Sequence, residues 1–436
     1  MRYDSIACLD DLLRDSGWWA REFFYDLVRA PIHMAAGVDI AKSPRMFQRH
    51  NLKLGFDVEA FRSLCGLPSR TWHDRYHAIP DAAREYLVGY LPERTLFLGY
   101  EMPVWLRHAL DSVGAPWLDL RIAPLRFGSD LYVGMASSDP ALRDALTRHA
   151  MSDAKVLGEA CLMAARVRHR TRYRHDHMAH DGHVIYVGQT EDDAALLDDD
   201  GRCVRVEQFT RELLDWVGDA PVLYKPHPLT GDFAEQERQM LERLLGRNVA
   251  RCETDTYELL AGDDDVRFVA LSSGVVQEAE WFGKPSAALF RPLCTPAFGR
   301  AEGPDEHLLV AAHDFLGEAL WADVLDVPVR PGAFQPTPTP NHLRELHNTW
   351  WGYAAYALSG NVYMEEAFRR YGAAPAEAPQ ASAPAPATPP ARDEQMAADL
   401  NSAQQRIESL RLEIDGLKDA LAIVLRELDR RPLQAA

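Results

Sequence analysis

Lys225 and His227 flank a proline in VLYKPHPLTG, residues 222–231, directly after a short apolar run. Such a run reads as a strand, so both side chains stand at its C-terminal tip, and Pro228 stops the chain from continuing as sheet or helix. Two further segments end alike. In VRFVALSSG, 266–274, the apolar run gives way to Ser272, Ser273 and Gly274, which open into a helical pattern. Hydroxyls and free amide N–H groups at a helix start suit an anion, although one serine alone would serve as a cap. In HVIYVGQ, 183–189, the run ends at Gln189 and meets Glu191, Asp192 and Asp193. Lys225, His227, Pro228, the serine pair and Gly274 are read as a phosphate-binding set. Glu278, one turn into the following helix, is placed to accept from ribose hydroxyls. Carboxylates beside a bound anion are electrostatically awkward unless one of them acts as nucleophile or base. Spacing alone does not choose between Asp192 and Asp193.

These tips gain meaning from the elements that carry them. Strands are expected at 94–103, 115–124 and 130–137, then a helix over 140–170. A second series follows, with strands at 183–189, 220–228, 266–274 and 284–290 and helices at 206–218, 233–246 and 275–283. Alternation of this kind predicts βαβ units around parallel sheets. Ligands in such sheets bind beyond the C-terminal strand ends. The fold class expected is α/β, with two Rossmann-like domains facing a cleft: residues 1–170 and residues 183–345. The histidines of 169–183 lack the helical i, i+4 pairing with a third ligand that would make a zinc site, so no metal is expected.

The chain has 436 residues, 47% hydrophobic and 26% charged, with a formal net charge of −18. That balance disfavours nucleic-acid binding, which needs a basic patch. The six cysteines are scattered without a CxxC pair, as in a reducing compartment. The first residues lack the basic start and apolar core of a signal peptide, and no stretch reaches the roughly 18–20 apolar residues of a membrane span. A cytoplasmic protein is expected.

Residues 372–392, nearly all Ala and Pro, form a spacer without a core. Beyond it, in 393–431, Leu400, Ala403, Ile407, Leu410, Ile414, Leu417, Leu421, Val424 and Leu428 alternate by threes and fours. Isoleucine at one core position and leucine at the other favour a parallel two-stranded coiled coil. A homodimer, or recruitment of a partner, is expected.

Taken in order, GQTEDDAAL, YKPHP and LSSGVVQEAEWFGKP resemble the motif series of the bacterial retaining β-Kdo glycosyltransferases of capsule-polysaccharide and O-antigen synthesis. The resemblance covers roughly residues 90–355. It implies a GT-B fold and a CMP-sugar donor, with no cofactor and no metal. It further implies that Asp193, four residues after Gln189, attacks the anomeric carbon, and that His227 with Ser272 and Ser273 holds the CMP phosphate. Glu101, in GYEMP, would face the cleft as acid/base or acceptor contact, and Arg126, in RIAPLRFGSD, would meet a carboxylate. Residues 346–371 would be the closing helices that return to the first domain. Ala195 stands where the family often has a serine. The function expected is transfer of Kdo, or a related 2-keto sugar acid, to a saccharide or lipid-linked acceptor, at the cytoplasmic face of the inner membrane where that acceptor is anchored. Two alternatives are an inverting transferase using CMP-sialic-acid-type donors and an inactive coiled-coil scaffold of a glycan-assembly complex.

Overall fold

The computed structural model describes residues 2–350, apart from residues 10, 15–17, 38–39, 42–51, 53–54, 173–178, 192, 228–229, 231, 330 and 337–339. The spacer, the coiled coil, most of the closing segment, Asp192, Pro228 and part of the histidine-rich loop lie outside the described residues. All described elements belong to one unit, Met1–Ala374.

The chain begins with β1 (Ser5–Cys8), α1 (Trp18–Ala36), β2 (Ile40–Ala41), α2 (Val58–Leu64), α3 (Asp81–Gly89), β3 (Thr95–Tyr100) and α4 (Val104–Asp111). It continues with β4 (Trp117–Ile122), β5 (Tyr132–Ala136), α5 (Pro140–Thr147) and α6 (Asp153–Thr171). Next come β6 (Val184–Val187), α7 (Thr210–Val217), β7 (Val222–Lys225), α8 (Asp232–Leu245) and β8 (Ala250–Arg251). After these lie α9 (Thr256–Ala261), β9 (Arg267–Ala270), α10 (Gly274–Ala279) and β10 (Ser286–Ala288). The last elements are β11 (Thr295–Ala297), β12 (Glu306–Ala311), α11 (Ala312–Phe315), α12 (Glu318–Leu325) and α13 (His342–Trp350).

Two sheets result. The first has seven strands in the order β11-β12-β5-β4-β3-β1-β2, the second five in the order β10-β9-β6-β7-β8. The second is parallel throughout. Strands β3, β4 and β5 are buried along their whole length, as strands covered on both faces must be. Alternation divides their side chains. Leu96, Leu98, Leu118 and Leu120 face a core completed by Tyr25, Leu142 and Trp321, while Phe97 and Trp117 face one with Phe61, Leu87 and Trp105. In the second sheet Val184, Tyr186, Val222 and Tyr224 pack with Leu213 and Leu241. A further cluster joins the sheets, with Leu125 and Phe127 beside Val156, Ile185, Phe268 and Val276.

The structure departs from the sequence reading in three places. The helix expected over 140–170 is two helices, because Ser152 caps the second by accepting from Lys155 N and Met151 N bonds to Leu309 O at 2.7 Å. The first sheet is mixed rather than parallel, since β5 runs antiparallel to both β4 and β12. Residues 183–345 do not all join the second sheet. Strands β11 and β12 return to the first, where Leu308 and Val310 enter its core.

Candidate functional site

The C-terminal ends of β6, β7 and β9 lie side by side, so the loops that follow them share one edge. Gly188 leaves β6 in a space too narrow for a side chain: a Cβ there would lie 2.5 Å from Tyr224 Oη and 2.8 Å from Glu237 Oε2. Gln189 is buried, and its Oε1 accepts from Ser272 N at 2.6 Å, fastening the loop after β6 to the loop after β9. Ser272 Oγ donates to Arg291 O at 2.9 Å, and Ser273 caps α10 by accepting from Val275 N. Both hydroxyls therefore serve local structure. Gly274 presses against the first sheet's loop, where a Cβ would stand 3.0 Å from Pro124 O.

Asp193 ends the loop after β6. Its Oδ1 accepts from Ala195 N at 2.9 Å and caps the short turn Ala194–Leu196. Ala194 and Leu197 then pack with Tyr76, and Gly201, at φ +76°, lies against His73, whose carbonyl oxygen would collide with any Cβ. The acidic loop thus bridges from the second sheet to residues 72–77. His227, at the tip of β7, is kept below the ordinary imidazole pKa by burial, while the charge of Asp193 acts on it in the opposite direction. The two residues are electrostatic neighbours. Lys225 reaches elsewhere: its Nζ donates to Thr254 O at 2.6 Å, between β8 and α9.

Glu278 is buried, and its Oε1 accepts from Arg126 N at 2.5 Å and from the Tyr257 hydroxyl at 3.0 Å. Burial raises its pKa to about 7 against the lowering effect of these two bonds. The carboxyl anchors the loop after β4, a contact that the periodicity of the sequence does not show. Arg344, buried at 2% exposure, holds the same loop by donating to Arg126 O and Gly128 O. Arg126 Nη1 is buried without a hydrogen-bond partner. Glu101 follows β3 with a left-handed backbone, φ +54°, uncommon for a residue with a side chain. The charges of Glu101 and Arg126 both act on Tyr100, so these two residues occupy the same end of the first sheet.

A second polar group lies outside these motifs. Asp119 and Arg121 on β4 and His307 on β12 are each at most 2% exposed. Arg121 Nε lies 2.7 Å from Asp119 Oδ2 and His307 Nε2 3.2 Å from the same oxygen, while Asp119 Oδ1 accepts from Met102 N. Burial opposes charge on Asp119, but Arg121 and then His307 outweigh it and hold the carboxyl well below its ordinary range. Burial likewise opposes charge on His307, but Cys294 and Asp119 outweigh it and raise the imidazole to about 9. The signal was the i, i+2 pair of charges inside WLDLRI, which alternation puts on one face of a buried strand. Among the described residues no group of three His, Cys, Asp or Glu side chains is arranged to hold a metal ion, and no helix is long and apolar enough to cross a membrane.

No family model and no curated protein matches the chain. Among solved structures it is similar to Thermosulfurimonas dismutans KpsC, beta Kdo 2,7 transferase, with 13% identity over 74% of this chain and 89% of that one and a TM-score of 0.31. It is also similar to Thermosulfurimonas dismutans KpsC, beta Kdo 2,4 transferase, with 15% identity over 52% of this chain and 78% of that one and a TM-score of 0.28.

Proposed function

We propose that the chain is a glycosyltransferase of GT-B type that moves Kdo, or a related 2-keto sugar acid, from a CMP donor to a saccharide or lipid-linked acceptor, with retention of configuration. The observation that carries this reading is that Asp193 and His227 follow adjacent parallel strands, near enough for the carboxylate to act on the imidazole. One is a carboxylate able to attack carbon; the other is a half-buried imidazole at the strand tip, whose N–H can meet a leaving phosphate. Arg126 supports the sugar-acid class, because a buried guanidinium nitrogen without a partner suits a carboxylate that arrives with the substrate.

In the first step, the Asp193 oxygen not engaged by Ala195 N attacks the anomeric carbon. The bond from that carbon to the phosphate oxygen breaks, and CMP leaves with the electron pair, stabilised by His227. In the second, an acceptor hydroxyl attacks the same carbon from the other side, Glu101 takes its proton, and Asp193 departs. Two inversions give retention. Ser272 shapes the β9 turn through its bond to Arg291 O, Ser273 accepts from Val275 N and would turn its own O–H towards the donor phosphate, and Lys225 steadies the neighbouring loop. The coiled coil would pair two copies, or bring the enzyme to lipid-anchored acceptors.

The test is CMP release from CMP-Kdo by the parent and by Asp193→Asn, with product anomeric configuration read by NMR. The reading expects a retained product and a loss of at least about 10³-fold in turnover, in the range removal of a nucleophile produces. An inverted product, or equal rates for the two proteins, would reject it.

A further inference from the structure

A cavity of about 590 Å³ adjoins the Asp193 turn. Its wall includes Ala195 from that turn, Tyr76, Arg107 on α4, Arg291, and His307 of the buried charge group. Two of these five are guanidinium groups, and the third basic side chain, His307, meets Asp119 through Nε2.

The two arginines are incompletely served. Arg107 is 9% exposed, and its Nε is buried without a hydrogen-bond partner. Its ion-pair partner, Asp305, lies 2.6 Å away with its side chain 81% exposed. Arg291 is paired in the same manner with Asp199, 2.6 Å away and 83% exposed. Pairs with such exposed carboxylates contribute little, about 0–1 kcal/mol, and the acids are free to turn into solvent. A guanidinium buried as deeply as Arg107 gains far more from a partner that is itself shielded from water.

We infer that this cavity binds an anionic group of the acceptor, a carboxylate or a phosphate, and sets its hydroxyl towards the Asp193 turn. The inference rests on the transferase reading for the identity of the ligand as acceptor. The chemistry of the cavity stands apart from that reading. The anion displaces Asp305 and Asp199 from the two arginines, and Tyr76 and the apolar rim cover the rest of the molecule. Two sources supply such a group: an acidic sugar, or the phosphate of a lipid carrier.

The experiment is ligand-observed NMR on the full chain with two matched pairs, methyl glucuronoside against methyl glucoside and dimethylallyl phosphate against dimethylallyl alcohol. CMP binding is measured in parallel. One anionic probe should bind at least about tenfold tighter than its neutral partner, the return of one charge-assisted hydrogen bond. The pair that discriminates names the source. Arg107→Gln and Arg291→Gln should each remove that preference while leaving CMP affinity unchanged. If burial makes Arg107→Gln unstable, the half-exposed Arg291 decides the matter alone. Equal binding within both pairs overturns the inference, as does a preference that survives the substitutions. Failure to bind CMP with the preference intact would instead overturn the nucleotide reading and leave the cavity standing.

Discussion

Gln189 Oε1 accepts from Ser272 N at 2.6 Å, so one buried side chain ties the tip of β6 to the tip of β9. The bond fixes where the acidic loop starts relative to the turn that opens α10. Gln189→Ala leaves the Ser272 amide buried and unsatisfied, which costs about 1–3 kcal/mol. Urea denaturation should show that loss, and CMP-Kdo turnover should fall further than stability alone explains. Unchanged stability would mean that the tie is not made in solution.

Gly201 holds the far end of the same loop. Its positive φ and the closeness of the His73 carbonyl leave no room for a methyl group, so Gly201→Ala should cost about 1–3 kcal/mol in backbone strain. Displacement of the loop should also lower turnover through Asp193 while CMP binding persists. Full turnover in the variant would show that the Asp193 turn does not depend on its contact with residues 72–77.

Burial raises Glu278 to about 7, against the opposing bonds from Arg126 and Tyr257, and raises Glu237 to about 7, against those from Tyr224 and Tyr186. A carboxyl that holds its proton more tightly when folded stabilises the protein most below its unfolded pKa of about 4.5. That advantage is lost as pH rises through about 7. Stability should therefore decline between these limits, by on the order of a few kcal/mol. Glu278→Gln keeps an acceptor for the Arg126 amide and should flatten the decline, leaving the part due to Glu237. Chemical denaturation at several pH values checks this, and an undiminished slope would contradict it.

Much of this fold is visible in the residues. Strands β6, β7, β9 and β10 of the second sheet and the three central strands of the first are apolar runs that end in Gly, Pro, Ser or charge, and each forms where its pattern indicates, whereas the short exposed β8 carries no such pattern. The return of β12 to the first sheet is not visible. EHLLVA is a buried run like any other, and only distant partners, Met135 to Tyr132 on β5, determine where it pairs. At the site, the tips were legible because parallel strands present their C-terminal ends together. Where the polar atoms point was not. Ser272 Oγ meets a carbonyl 19 residues away, and Glu278 meets an amide 152 residues away. Neither contact follows from local propensity, and both make these side chains supports of the loops around them. The contact between Asp119 and His307, 188 residues apart, is illegible for the same reason.

The neighbourhood of Asp193 and His227 underlies the whole account, and the titration of the His227 imidazole, followed by NMR, reports on it directly. The carboxylate opposes the effect of burial, so Asp193→Asn should lower the His227 pKa further, and saturating CMP should raise it in the parent protein as phosphate arrives beside the ring. A His227 titration unmoved by both the substitution and the nucleotide would separate the two residues and contradict the proposed site.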